Sequence, residues 1–290
     1  MGGDKRIKWI LFLLLSVIWG SSFILMKESS QDLNGWQIGA IRIFSAGLVF
    51  LPLAIVHIKD IPLKQLPLVF FSGVCGNLMP AFLFAIAIEK DINTSMAAIL
   101  NSLTPLLVIV MSVLVFKAPV QSKKILGVLL GFAALVILSL SKGGVTGQNY
   151  GYTLLILLAT FFYGLNVNIV SVYLKNLNPF KMATVSLALL CPLTAIVLWQ
   201  QDVWYIARYD AGALKGIVYA ALLGVVGSAI ATVLFYILIQ RAGGLFASLV
   251  TYGIPVVGIG WGLASGETIG AVQIGCLALI LGGVYLANRN

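Results

Sequence analysis

The stretch NSLTPLLVIVMSVLVFKAP (residues 101–119) and the stretch TYGIPVVGIGWGLASGE (residues 251–267) are written on one plan. Each opens on a polar residue, Asn101 or Thr251, and carries a proline four positions later, Pro105 or Pro255. Each then runs apolar to a charge, Lys117 or Glu267, twelve positions after the proline. An apolar helix of this kind suits lipid, but proline lacks an N–H and its ring clashes with the carbonyl four residues earlier. Pro105 therefore releases the carbonyl of Asn101, and Pro255 that of Thr251. An unsatisfied backbone group deep in hydrocarbon is costly, so both carbonyls are expected to face protein, water or substrate. The residues Asn101, Pro105, Val108 and Ser112 match Thr251, Pro255, Gly258 and Gly262 at the spacing of one helix face. These two segments are expected to line a shared central cavity, with Pro105 and Pro255 as hinges. The competing reading is a packing kink, since Gly258 and Gly262 also form a G-x-x-x-G contact motif.

Composition decides the solvent. Of the 290 residues 60% are hydrophobic and only 9% charged, and the mean hydropathy is +1.06. Such a chain cannot cover itself with a water-soluble surface. Stretches without charge recur at close to the roughly 20 residues that a helix needs to cross a bilayer. Ten spans are expected, at about 9–26, 36–56, 66–88, 92–116, 125–140, 150–174, 182–200, 216–239, 244–264 and 268–287. The fold class is thus an all-α polytopic membrane protein with short connectors. The first span follows GGDKRIK but is too long, and lacks the cleavage site, for a signal peptide.

Lys and Arg set the orientation. With the N-terminus inside, one side holds Lys5, Arg6, Lys8, Lys59, Lys64, Lys117, Lys123, Lys124, Lys175, Lys181, Arg241 and Arg289. The other holds Lys27, Lys90, Lys142, Arg208 and Lys215. Both termini are therefore expected in the cytoplasm, with the protein integral to a plasma membrane of the bacterial inner-membrane kind. The net charge of +9 is a topology signal, and no basic, aromatic-interleaved patch points to nucleic acid. Cys75, Cys191 and Cys276 fall inside spans without metal or redox spacing. His57 is the one histidine, no G-x-S-x-G elbow occurs, and no aspartate lies deep in a span. The expectation is no enzyme, no metal and no cofactor.

The doubled segment belongs to a longer repeat. WGSSF at Trp19 falls on YGLNV at Tyr163, an offset of 144; Pro105 falls on Pro255, an offset of 150. LGVLLGFAALVIL from Leu126 falls on IGCLALILGGVYL from Ile274, an offset of 148. A near-constant offset marks an internal duplication, here residues 1–142 and 143–290. Five spans per unit is odd, so the second unit enters the membrane from the opposite side, as in secondary transporters that work by alternating access.

Other polar residues at similar depth extend the candidate substrate site. Asn77 is central in span 3 and Ser228 in span 8. Ser22 and Asn166 each follow their own aromatic, Trp19 or Tyr163, by three residues. Singly such groups more often glue helices together; as matched sets they also suit a ligand. Trp19, Phe23, Phe82, Tyr163 and Tyr252 could receive an apolar or aromatic moiety. Spans 5 and 10 carry small residues instead, Gly127 with Gly131 and Ala278 with Gly282, which suits a scaffold or a homodimer contact.

WGSSF, IRIFSAGL from Ile41, the two proline-bearing spans and SGETIGAVQIGCLALILGGVYL from Ser265 together resemble the EamA branch of the drug/metabolite transporter superfamily, across essentially the whole chain. The resemblance implies export of small metabolites, often amino acids, through a central cavity. The Gly-Glu pair that usually ends the proline-bearing span stands at Gly266–Glu267, but the first repeat has Phe116–Lys117.

Without a lysine or arginine cluster at the midplane, a small neutral or zwitterionic metabolite fits better than a phosphate ester. Arg42 is the one charge inside a span. Near a helix end it can snorkel or pair with Glu28 or Glu89, and it is read as structural. A passive channel lacks a recognisable selectivity ring, and a membrane receptor lacks extramembrane segments. The expected partners are a small-molecule substrate and the bilayer.

Overall fold

The structure is a computed structural model that describes residues 2–90, 92, 94–141, 150–264 and 270–288. The repeat boundary at 142/143 and the Gly266–Glu267 pair lie outside the described residues, as do the surroundings of Gly258 and Gly262. Every regular element among those described is helical.

The helices are α1 (Gly2–Ser29), α2 (Gly35–His57), α3 (Leu66–Gly73), α4 (Met79–Glu89), α5 (Thr94–Asn101), α6 (Thr104–Leu114), α7 (Ser122–Ser141) and α8 (Tyr150–Val172). They continue as α9 (Pro179–Ala188), α10 (Cys191–Gln200), α11 (Val203–Tyr209), α12 (Ala213–Gly224), α13 (Ala231–Ala242), α14 (Gly244–Ser248), α15 (Val250–Ala264) and α16 (Ala271–Asn288). Among the described residues seven stretches are long and apolar enough to cross a membrane: Arg6–Ser29, Gly35–Asp60, Leu66–Glu89, Met96–Leu114, Gly151–Val172, Pro179–Gln200 and Ala213–Ala242. The three other expected spans coincide with α7, α14 with α15, and α16, where the apolar helices Gly244–Val257 and Ile274–Ala287 are shorter.

Local sequence explains several helix starts. Asn34 caps α2 in a reciprocal box with Gln37, and Asn178 accepts from the N–H groups of Phe180 and Lys181 to start α9. Five helices open on a proline in their first turn, namely Pro67, Pro80, Pro105, Pro179 and Pro192, where the missing N–H costs no bond. Pro105 therefore starts α6 after a break at Ser102 and Leu103, whereas Pro255 stays inside α15 and the break precedes it at Leu249. The two segments share a plan and differ in where the helix is interrupted.

Polarity is arranged for lipid. Large apolar side chains point outward, with Leu13 62%, Ile55 65% and Leu114 74% exposed, while Arg42, Asn77, Asn101, Asn166, Asn168, Ser228 and Thr251 are buried. A buried polar group needs a partner, so these residues must meet one another or a ligand in the interior. The two halves of the chain interleave: α1 packs on α12, α13 and α15, α2 on α9, α10 and α12, and α8 on α4 and α6.

The interface between α7 and α16 is built of small residues. A Cβ on Gly127 would come within 2.5 Å of the Ala287 backbone, and one on Gly283 within 2.7 Å of the Gly127 carbonyl. Gly283, one position after the expected Gly282, makes the contact; Gly282 faces open space.

Candidate functional site

A narrow cavity of about 70 Å³ lies between the interleaved halves. Of the nine residues expected to bind substrate, Trp19, Ser22, Asn77, Asn101, Tyr163, Asn166 and Thr251 line it. α1 supplies Trp19 and Ser22, α5 Asn101, α8 Tyr163 and Asn166, and α15 Thr251. Ser228 and Tyr252 do not line it. Ser228 sits behind the wall, where its Oγ accepts from Arg42 Nε at 2.8 Å. Tyr252 turns toward α7, packs its ring on Gly131 and donates its hydroxyl to the Val128 carbonyl at 2.8 Å. Phe82 packs on Trp36, and Phe84 and Phe235 supply aromatic wall instead.

Two π-helical turns shape the cavity, Val74–Leu78 between α3 and α4 and Val225–Ile230 between α12 and α13. They occupy equivalent places in the two halves, with Gly76–Asn77 answering Gly227–Ser228 at an offset of 151. A π-turn adds a residue to the helical repeat, and such turns gather at functional sites because they re-aim side chains and loosen backbone bonding. Here Trp19 Nε1 donates to the Gly227 carbonyl at 3.0 Å, tying α1 to the second turn. Asn77 accepts from Thr232 Oγ1 at 2.9 Å. On the cavity's other flank Ser72 Oγ donates to Asn166 Oδ1 at 2.7 Å and lies 2.9 Å from the Tyr236 hydroxyl. The Asn166 amide packs so closely on Gly76 that a Cβ there would overlap it.

The carbonyls released by the two prolines both meet hydroxyls. Thr104 Oγ1 donates to the Asn101 carbonyl at 2.6 Å, and Ser102 Oγ lies 3.3 Å from the Thr251 carbonyl. Protein, and not the cavity, satisfies them.

Arg42 departs from its expected structural pairing. It neither snorkels nor meets Glu28 or Glu89: Glu28 pairs with Lys215, and Glu89 with Lys90 while also accepting from the Gly35 N–H. The guanidinium instead points inward to line the cavity, 8% exposed, beside the Tyr163 hydroxyl. Sequence reading also passed over Thr232 and Tyr236, although Ser228, Thr232 and Tyr236 form an i, i+4, i+8 stripe on one helical face.

A second, wider cavity of about 830 Å³ opens at the Lys8 end of α1, between Gln121, Arg241 and Tyr285. Among the described residues none lines both cavities. At the wider one Asn168 ties α8 to α6, accepting from Ser112 Oγ at 2.6 Å and donating to the Val108 carbonyl at 3.2 Å.

Residues 7–140 and 151–289 each match the model of the EamA-like transporter family. The chain belongs to that family. This EamA-like transporter is 24% identical over 284 residues to an uncharacterized transporter of Archaeoglobus fulgidus, covering 98% of this chain and 99% of the relative. A second uncharacterized transporter of the same organism is 29% identical over 182 residues, 62% of this chain and 54% of the relative. A relative from Acidianus ambivalens, named an uncharacterized transporter in sor 3'region, is 26% identical over 188 residues, 64% of this chain and 68% of that protein. A crystal structure with 18% identity overlays at a TM-score of 0.71, covering 98% of this chain and 97% of the other, and shows the same fold. Family and apolar helices together make this an integral membrane transporter of the drug/metabolite superfamily.

Proposed function

We propose that this EamA-like transporter moves a small neutral or zwitterionic metabolite, amino-acid-like in size, by alternating access of a central site. The moving parts are two inverted five-helix repeats, residues 1–142 and 143–290, with both termini in the cytoplasm. The observation that carries this reading is the joint construction of the narrow cavity. Trp19 with Tyr163, Ser22 with Asn166, and Asn101 with Thr251 are equivalent residues of the two halves, and all six line it. A site shared by two equivalent halves changes its access when the halves exchange conformations.

The bonds that hold the present arrangement fit that mechanism. Trp19 to Gly227, and Asn168 to Ser112 and Val108, cross between the halves through one and two hydrogen bonds, few enough for a rocking motion to exchange them for others. The cavity is small beside the few hundred Å³ of an ordinary ligand site, so on this reading it widens to admit substrate.

Counterflow in proteoliposomes tests the proposal. Purified protein is reconstituted with unlabelled amino acids and related metabolites inside, and uptake of labelled compound is followed. A carrier accumulates label transiently against its gradient. Equilibration at the same rate with or without internal substrate would indicate a channel and overturn alternating access.

A further inference from the structure

We propose that Arg42 binds the substrate's carboxylate, so that the substrate is itself the counter-ion of a buried guanidinium; this rests on the transport reading of the same cavity.

The starting point is a charge imbalance. Moving an ion out of water costs several kcal/mol even after relaxation, so buried cations are as a rule paired with an anion. Arg42 lines the cavity and is 8% exposed, yet no Asp or Glu is among the cavity's described lining residues. Among the described residues its partners are hydroxyls, Ser228 Oγ at 2.8 Å from Nε and the neighbouring Tyr163 hydroxyl. Ser228 acts as a strut. It takes the Nε–H and so orients the guanidinium plane, the Tyr163 hydroxyl takes a further N–H, and the remaining Nη donors are left for an incoming group. A carboxylate matches that fork with two parallel hydrogen bonds.

The rest of the wall refines the ligand class. Phe23, Phe84, Trp19 and Phe235 present aromatic surface around the same space, which favours an apolar or aromatic body on the carboxylate. With one guanidinium as the sole cation among the described lining residues, the cavity balances a single negative charge, which disfavours a phosphate dianion.

The test uses four probes that share a phenyl body: L-phenylalanine, 3-phenylpropionate, L-phenylalaninamide and phenyl phosphate. Each is titrated at up to millimolar concentration against the full-length protein in detergent, with thermal unfolding as the readout. The two carboxylates are expected to raise the unfolding temperature, and the amide and the phosphate are not. Arg42→Met should weaken carboxylate binding about a hundredfold and Arg42→Lys about tenfold, because lysine keeps the charge and loses the fork. Arg42→Met without ligand should unfold at the wild-type temperature or higher, since it removes an uncompensated buried charge. A structural arginine would behave oppositely. A wild-type protein that neither carboxylate stabilises, that the amide or phosphate stabilises equally, or whose carboxylate response survives Arg42→Met would overturn the proposal. Carboxylate binding that needs Arg42 but gives no counterflow would leave this inference standing and sink the carrier reading. Counterflow that is indifferent to Arg42 would do the reverse.

Discussion

The hydroxyl of Ser102 lies 3.3 Å from the carbonyl oxygen of Thr251, and so joins the two proline-bearing segments at the carbonyl that Pro255 deprives of its helical partner. The same hydroxyl lies 2.8 Å from the Ala98 carbonyl of its own helix, so one proton is shared between two acceptors. The first segment thus caps the second one's exposed backbone.

Removing that hydroxyl should leave the Thr251 carbonyl without its donor in a water-poor interior. Ser102→Ala is expected to lower stability by about 1 kcal/mol, since the bond is shared and its loss is partial. Thr104→Val, which takes the short 2.6 Å bond from the Asn101 carbonyl and the longer 3.4 Å one from the Asn101 side-chain oxygen, should cost more, about 1–3 kcal/mol. Thermal unfolding of the two variants in detergent gives the comparison, and an inverted order would show that the carbonyls find other donors.

Asn101 and Thr251 line one cavity from opposite halves. Asn101→Leu and Thr251→Leu should each cut counterflow about tenfold or more while expression and unfolding temperature stay near wild type, because leucine fills the space and offers no hydrogen bond. Val110→Leu, on the exposed lipid side of α6, should have little effect. Transport at wild-type rates in both cavity variants would place the binding site elsewhere.

Gly76 gives the first π-turn its close approach to Asn166. A methyl group there meets the Asn166 amide, so Gly76→Ala should displace that side chain from the cavity and impair transport with a moderate stability loss of about 1–3 kcal/mol. Gly260→Ala, with open space around its Cβ position, is the matched control and should transport normally.

Packing of α7 on α16 depends on Gly283 and not on its neighbour. Gly283→Val should destabilise by about 1–3 kcal/mol through contact with the Gly127 and Gly131 backbones. Gly282→Val, which faces open space, should unfold at the wild-type temperature. Equal losses in both would mean that the outer face of α16 is covered by a second copy.

Orientation can be read from two exposed positions. Gln121 precedes α7 and Gln31 follows α1. In cells, Gln121→Cys should react with a membrane-impermeant maleimide only after permeabilisation, and Gln31→Cys without it. The native cysteines are buried and should stay silent. The reverse pattern would place both termini outside.

Much of this molecule is legible in one dimension. Apolar runs broken by charge mark the spans, because hydrocarbon admits only residues of that kind and helices of that length. The matched pairs Trp19 with Tyr163 and Asn101 with Thr251 are visible because duplication preserves spacing. Seven residues chosen on that basis do surround a single cavity. What the sequence could not decide depends on contacts between residues some 150 positions apart or on a shift in helical phase. The π-turns at Val74–Leu78 and Val225–Ile230 add a residue to the repeat, so a reading at 3.6 residues per turn misplaces the side chains around them. Ser228 therefore stands behind Arg42 and not in the wall. Tyr252 shares its neighbours' polarity, but a gap above Gly131 draws its ring to α7. Arg42 has two carboxylates within plausible reach in sequence, and only the packed fold gives those to Lys215 and Lys90 and turns the guanidinium inward. Periodicity reports which residues can be buried, since that follows from each side chain's own solvation. Which group meets which is a property of the whole arrangement, because a hydrogen bond exists only when two backbones bring its ends within about 3 Å.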